Sequence, residues 1–194
     1  GESERMPLGG NEASVFPVSH THQRHAYGAS KYLGEVAVQH AVRQGLDARI
    51  VRPFNGYGPR LLGNEYGQVV SMMLQRAVRQ HEIIIHGDGS QTRSLTYIDD
   101  LVCGIEAAGM CEGLAGVSMN LGSEDECSIR ELAQHIAELV GRELDCTIHL
   151  RYEEGYPGDS KRRLPNLMQT SEHLNWQASV SLQDGRAQTL RSIL

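Results

Sequence analysis

The sequence predicts an α/β domain built on a largely parallel sheet. Short apolar runs alternate along the chain with amphipathic stretches of about ten to fifteen residues, the pattern that places a crossover helix between neighbouring strands. At 194 residues the chain is long enough for one well-buried core, or one domain with a small appendage. Its apolar fraction of 40% and charged fraction of 22% are those of an ordinary globular protein.

Each element has its own signal. Residues 1–25, GESERMPLGGNEASVFPVSHTHQRH, hold turn formers without sustained periodicity and read as loop. From Ala26 to Gln44, alanines, valines and leucines recur at helical spacing, and Gly45 suits the C-cap. DARIVRP (47–53) is a short strand stopped by Pro53, followed by a Gly-rich loop over 54–67 and an amphipathic helix over 68–80. EIIIHGDGSQTRSLTYI (82–98) reads as strand, turn, strand. A helix follows with Asp99 and Asp100 in its first turn, where the dipole favours negative charge. GVSMNLGS (116–123) is a buried strand. Ser128 and Glu131 stand in capping-box spacing at the head of a helix expected to end at Gly141. DCTIHLRY (145–152) is a further strand, EEGYPGDSKRRLPN (153–166) a polar loop, and two short helical stretches close the chain.

Composition excludes several functions. The net charge is −6 and there is no block of lysine or arginine, which argues against a nucleic-acid partner. No apolar run reaches membrane-spanning length and no signal peptide opens the sequence, so no membrane partner is expected. Cys103, Cys111, Cys127 and Cys146 are dispersed without a C-x-x-C, which favours reduced thiols and a cytoplasmic location. The histidines of HTHQRH (20–25) match no helical or finger ligand spacing, so no metal is expected.

Tyr27 and Lys31, in YGASKYLGE, are four residues apart and share a helix face. An ammonium beside a phenol stabilises the phenolate, so such a tyrosine can shuttle a proton as a hydride leaves a sugar carbon. A bare Tyr-x-x-x-Lys is more often the pattern of two exposed side chains. Its neighbours decide. YGASKYLGE, RPFNGYGPR (52–60), HGDGSQTRSLTYIDDLV (86–102), NLGS (120–123) and KRRLPN (161–166) follow in order. From about Ala26 onward this series resembles the C-terminal portion of the extended short-chain dehydrogenase/reductases, the NAD-dependent nucleotide-sugar epimerase/dehydratase family. The UDP-glucuronate decarboxylases and their epimerase relatives are the most similar.

The resemblance implies a partial Rossmann-like parallel sheet joined to the family's C-terminal substrate-binding α/β subdomain. It divides the chain into a loop-rich segment (1–25), a remnant of the NAD-binding domain carrying the Tyr–Lys pair (26–60) and a nucleotide-sugar-binding region (61–194). Tyr27 would be the acid/base. Lys31 would lower its pKa and hold the nicotinamide ribose, and Phe54 would touch the nicotinamide end of NAD. Asn55 would bind the diphosphate or sugar of a UDP-sugar, Gln91 would approach the ribose, and the segment around His86 would run along the base. Arg93 and Arg163 would clamp the diphosphate, facing each other across a cleft, with Tyr27, Lys31 and Asn55 converging. Guanidinium forks match diphosphate oxygens, and an acidic protein must place such cations locally.

Three family features are not found in this sequence. No strand is followed by a G-x-G-x-x-G or G-x-x-G-x-x-G loop, no Ser/Thr can be assigned to complete the Tyr–Lys set, and His86 stands where the family more often has Tyr or Phe. Two functions therefore stand open. One is the C-terminal part of an enzyme oxidising the sugar at C4, inactive as this chain alone; the other is a non-catalytic nucleotide-sugar-binding or assembly module. Partners would be a complementing N-terminal chain or a second copy, the latter meeting Val36, Val38 and Ala41.

Overall fold

A computed structural model describes residues 6–9, 25–61, 68–155 and 159–194. The first helix, α1 (His25–Arg43), leads into β1 (Ile50–Pro53). β1 pairs in parallel with β6 (Ser118–Leu121), in register from Ile50↔Ser118 to Pro53↔Leu121. The crossover between them contains β2 (Gly56–Tyr57), α2 (Val69–Gln80), β3 (Glu82–His86), β4 (Thr92–Ser94), β5 (Thr96–Tyr97) and α3 (Ile98–Met110). After β6 come β7 (Glu126–Ser128), α4 (Ile129–Leu144), β8 (His149–Glu153), β9 (Arg162–Arg163), α5 (Met168–Leu174) and α6 (Leu182–Arg191). β2 pairs with β5 and β3 with β8, both in parallel, while β4 lies between antiparallel β7 and parallel β9. The fold is thus α/β with predominantly parallel pairing, as the alternation of elements predicted.

Differences from expectation lie in the shortest elements. The expected loops over 54–67 and 153–166 contribute β2 and β9, and β7 was not expected at all. Segments of two or three residues are too short to show a period and are strands only because β4 and β5 lie beside them. α4 runs past Gly141 to Leu144 and ends at Asp145, which takes the left-handed conformation. Gly141 instead admits the returning chain. Cys146 N–H donates to its carbonyl at 3.0 Å, and a Cβ there would lie 2.8 Å from the Cys146 oxygen.

The main core joins α2, α4 and β3 through Leu74, Ile83, Ile85, Leu132, Ile136 and Val140, all fully buried. Each such side chain contributes roughly 1.5–3 kcal/mol of burial. Tyr57 and Tyr97 extend that core toward α6, their rings edge to face with centroids 5.6 Å apart. A smaller cluster of Ala108, Leu114 and Met119 lies against β1 and β6. The capping box of α4 forms: Glu131 N–H donates to Ser128 Oγ at 3.1 Å, and Ser128 N–H donates to Glu131 Oε2 at 2.9 Å. Asp100 does more than meet the dipole of α3. Buried, it accepts Ser179 Oγ–H at 3.0 Å and Val180 N–H at 2.9 Å, tying the approach to α6 onto α3. All four cysteines are free. Among the described residues no helix is long and apolar enough to cross a membrane.

Candidate functional site

The parallel pair β1–β6 sets the site, because ligands of open α/β sheets bind outside the carboxyl ends of their strands. Both strands end level, at Pro53 and Leu121, and Phe54 N–H continues the ladder onto Leu121 O at 2.8 Å. The turn that follows β6 passes between Phe54 and Pro165. A Cβ on Gly122 would lie 3.2 Å from Phe54 Cβ and 2.9 Å from Pro165 Cγ, so NLGS requires its glycine for close packing.

Polar bonds weave this strand end into β4 and β5. Asn55 turns the chain with a left-handed φ of 42°, and its side-chain amide donates to Ser94 O at 2.7 Å. Thr96 Oγ donates to Phe54 O at 3.0 Å and accepts Ser123 N–H at 3.0 Å. Ser94 Oγ donates to Ser123 O. Phe54, Asn55 and β4 are therefore held as one unit.

At β4 the two arginines meet. Strand pairing sets Arg93 opposite Arg163 and Thr92 opposite Arg162. Side chains in register on parallel strands share a face, and neighbours along a strand alternate. Arg93 and Arg163 thus stand side by side on one face, rather than across a cleft from each other. Arg162 points the other way and forms a forked pair with Glu126, at 2.8 Å from Nε to Oε1 and 2.8 Å from Nη2 to Oε2. Together with the hydroxyl of Thr92, this arginine holds the Glu126 carboxyl below its usual range. Strand alternation separates the adjacent arginines that sequence left hard to distinguish.

Arg93 is 7% exposed. Its Nη1 donates to Thr92 O at 2.7 Å and Ser160 O at 2.8 Å, and its Nη2 meets Asp159 Oδ1 at 3.0 Å. Asp159 was not singled out from sequence. Its only signal there is an acid four residues before Arg163 in a polar loop.

His86 and Gln91 close the turn between β3 and β4. Gln91 Nε2 donates to His86 O at 2.9 Å, while Gln91 O accepts Ile129 N–H at 3.0 Å. The His86 ring nitrogen Nδ1 lies 3.3 Å from Glu154 O. His86, Gln91, Arg93, Asn55 and Arg163 are consequently linked through β4 and its neighbours.

Tyr27 and Lys31 sit apart from that group on α1. Tyr27 is 72% exposed, and the Lys31 ammonium lies 5.3 Å from its ring centroid, over the aromatic face. The link from α1 to the sheet was also missed from sequence. Arg52 of β1 donates Nε to Glu35 Oε1 at 2.7 Å and Nη2 to Glu35 Oε2 at 2.5 Å. That hydrogen-bonded carboxylate raises the Arg52 pKa above its usual value. Farther along α1, Gln39 Nε2 donates to Gly116 O at 2.6 Å, just before β6 begins. α1 therefore runs antiparallel to the strands. Lys31, one turn ahead of Glu35, and Tyr27, two turns ahead, extend toward the carboxyl ends of the strands where Phe54 lies. Of the HTHQRH run (20–25), residues 20–24 lie outside the described residues, and no group of metal-ligating side chains occurs among the described ones.

Parallel strands with the α1 helix beside their carboxyl ends define a Rossmann-like α/β fold. The chain belongs to the NAD dependent epimerase/dehydratase family, whose sequence profile matches residues 2–122. Among curated relatives, UDP-N-acetyl-alpha-D-glucosaminuronate decarboxylase of Bacillus cytotoxicus is 34% identical over 171 residues, 87% of this chain and 53% of its own. UDP-glucuronic acid decarboxylase 1 of Arabidopsis thaliana is 33% identical over 164 residues, 84% of this chain and 36% of its own. Among solved structures, UDP-glucose 4-epimerase of Thermotoga maritima, with UDP-glucose, superposes at a TM-score of 0.77 and 27% identity, covering 86% of this chain and 52% of that one. UDP-glucuronic acid 4-epimerase of Bacillus cereus, in complex with UDP-glucuronic acid and NAD, gives 0.74 and 26% over the same shares of the two chains. The chain spans about half or less of the length of these curated relatives. NAD is the cofactor of the family.

Proposed function

We propose that this chain is the substrate-binding, C-terminal portion of an NAD-dependent nucleotide-sugar epimerase, dehydratase or decarboxylase that works through C4 oxidation of a UDP-sugar. The observation that carries this is the pairing of Arg93 and Arg163 on one face, joined through Ser94 to the Asn55–Phe54 strand end. Two guanidiniums side by side match the oxygens of a diphosphate. Asn55 then meets the diphosphate or sugar, and the His86–Gln91 turn borders the ribose and base.

In the assembled enzyme Tyr27 takes the proton from the sugar C4 hydroxyl through its phenol oxygen. Lys31, which lies over the Tyr27 ring, would hold the nicotinamide ribose, and Phe54 would bound the nicotinamide. NAD supplies a hydride acceptor when bound. The residues present fit only its nicotinamide end, since among the described residues no glycine-rich turn leads from a strand into a helix N-terminus to take a pyrophosphate. By itself the chain is expected to bind UDP-sugars without turnover. The exposed Tyr27, Tyr32, Leu33 and Val36 of α1 support docking with a complementing N-terminal chain or a second copy.

Calorimetry of the chain with UDP, UDP-glucuronate and NAD tests this. Saturable UDP and UDP-glucuronate binding, lost in Arg93→Met, and no saturable NAD binding are expected. Absence of UDP binding by the folded chain would refute it. The second function, a non-catalytic binding module, is supported by the exposure of Tyr27. It predicts that adding the N-terminal half of a relative leaves UDP-glucuronate unchanged, whereas the enzyme reading predicts its conversion to an altered UDP-sugar, read by mass spectrometry and NMR.

A further inference from the structure

Burial makes Arg93 dependent on a counter-charge, because an unpaired guanidinium away from water costs several kcal/mol. Asp159 contributes it, with Oδ1 3.0 Å from Nη2. The two partners differ in access to solvent. The Arg93 side chain is 9% exposed and the Asp159 side chain 24%. Of the two, the Asp159 carboxylate is the one nearer to water. The segment that carries Asp159 is also fastened to the clamp from both sides. Ser160 O accepts from Arg93 at 2.8 Å, and Lys161 O accepts Thr92 N–H at 2.9 Å. That segment continues into Arg163, the register partner of Arg93.

We propose that Asp159 is an internal competitor for the ligand diphosphate, occupying Arg93 until a diphosphate displaces it. This rests on the diphosphate reading of Arg93 and Arg163 given above. The carboxylate brings one negative charge to a face carrying two arginines, while a diphosphate brings more than one and can bridge both. The exchange favours the ligand, yet each binding event must first break the Arg93–Asp159 pair, so Asp159 lowers affinity and speeds release. A merely structural aspartate would act in the opposite sense, because losing it would disorder Arg93 and weaken binding.

The experiment compares UDP and uridine binding to the full chain and to Asp159→Asn by calorimetry, with Arg93→Met as reference. Asp159→Asn should tighten UDP about tenfold and leave uridine unchanged, since uridine has no phosphate to compete. UDP binding to the wild type that Arg93→Met abolishes keeps the diphosphate reading. With that result, UDP affinity unchanged or weakened in Asp159→Asn overturns the competitor role alone. Absence of UDP binding in both overturns the diphosphate reading and the competitor with it. Should Asp159→Asn fail to fold, the wild type answers by nitrogen-15 side-chain NMR. The Arg93 guanidinium resonance, assigned through Arg93→Lys, should shift on saturation with UDP and stay in place with uridine; no shift with UDP overturns the proposal.

Discussion

Gly185 of α6 offers a sharp test of how the C-terminal helix is seated. A Cβ at this position would lie 2.9 Å from Tyr57 Cζ and 2.9 Å from Tyr97 Cδ2, with the Tyr57 hydroxyl closer still. Neither ring can retreat easily. Tyr57 is 2% exposed and Tyr97 4%, and the Tyr97 hydroxyl is bonded to Gln188 at 3.1 Å. In an open helical site Gly→Ala stabilises by up to about 1 kcal/mol. Overpacking a well-filled core costs about 1–3 kcal/mol. With the clash at the upper end of that range, Gly185→Ala should lose about 2 kcal/mol net. For a domain of this size that lowers the Tm by roughly 4–8 °C. Gly109→Ala in α3 is the control, because nothing lies within 4 Å of its Cβ, and its Tm should rise by a few degrees at most. Thermal unfolding followed by circular dichroism reads both. Adding Tyr57→Phe to Gly185→Ala should recover part of the loss, since it removes the nearest atom and one that makes no hydrogen bond among the described residues. A Tm for Gly185→Ala equal to or above wild type would refute the packing argument.

Burial pushes the Cys127 thiol up to about 11, whereas Cys103 is exposed. Iodoacetamide at pH 8, read by peptide mass spectrometry, should modify Cys103 well before Cys127; equal rates would contradict the shielding of the Cys127 thiol. Because folding favours the neutral Cys127 thiol, its contribution to stability is full below the unfolded thiol pKa and is lost as pH rises through about 11. At acid pH the sign reverses for Glu131, whose carboxyl is held below its ordinary value by the Ser128 backbone and side chain. Its contribution is present above the ordinary carboxylate pKa and lost as pH falls through the depressed one. Ser128→Ala should cost about 1 kcal/mol in urea unfolding at neutral pH, and the deficit should shrink on acidification; a deficit that grows would exclude the capping box as its cause.

Much of this protein is legible in its amino-acid sequence. The helical period of α2, α3 and α4 is intrinsic to the sequence, because each buries one face and exposes the other. The capping box depends on two residues three apart, and local geometry satisfies it. The motif series around Tyr27, Asn55, Arg93 and Arg163 identified the family for the same reason, as each motif is a contiguous run.

Tertiary structure decided what contiguity cannot encode. Arg162 and Arg163 are equivalent as neighbours in a polar loop and become opposites only when β9 registers against Thr92 and Arg93. Asp159 becomes the partner of Arg93 across 66 positions of chain, and Glu35 the partner of Arg52 across a helix and a loop. β7 and β9 exist because β4 offers hydrogen bonds on both edges. Chain-local patterns fix which segments can be helix or strand, since those depend on neighbours within a few residues. Which charges neutralise each other, and which arginines share a face, depends on strand register, and register is settled only when the whole sheet assembles.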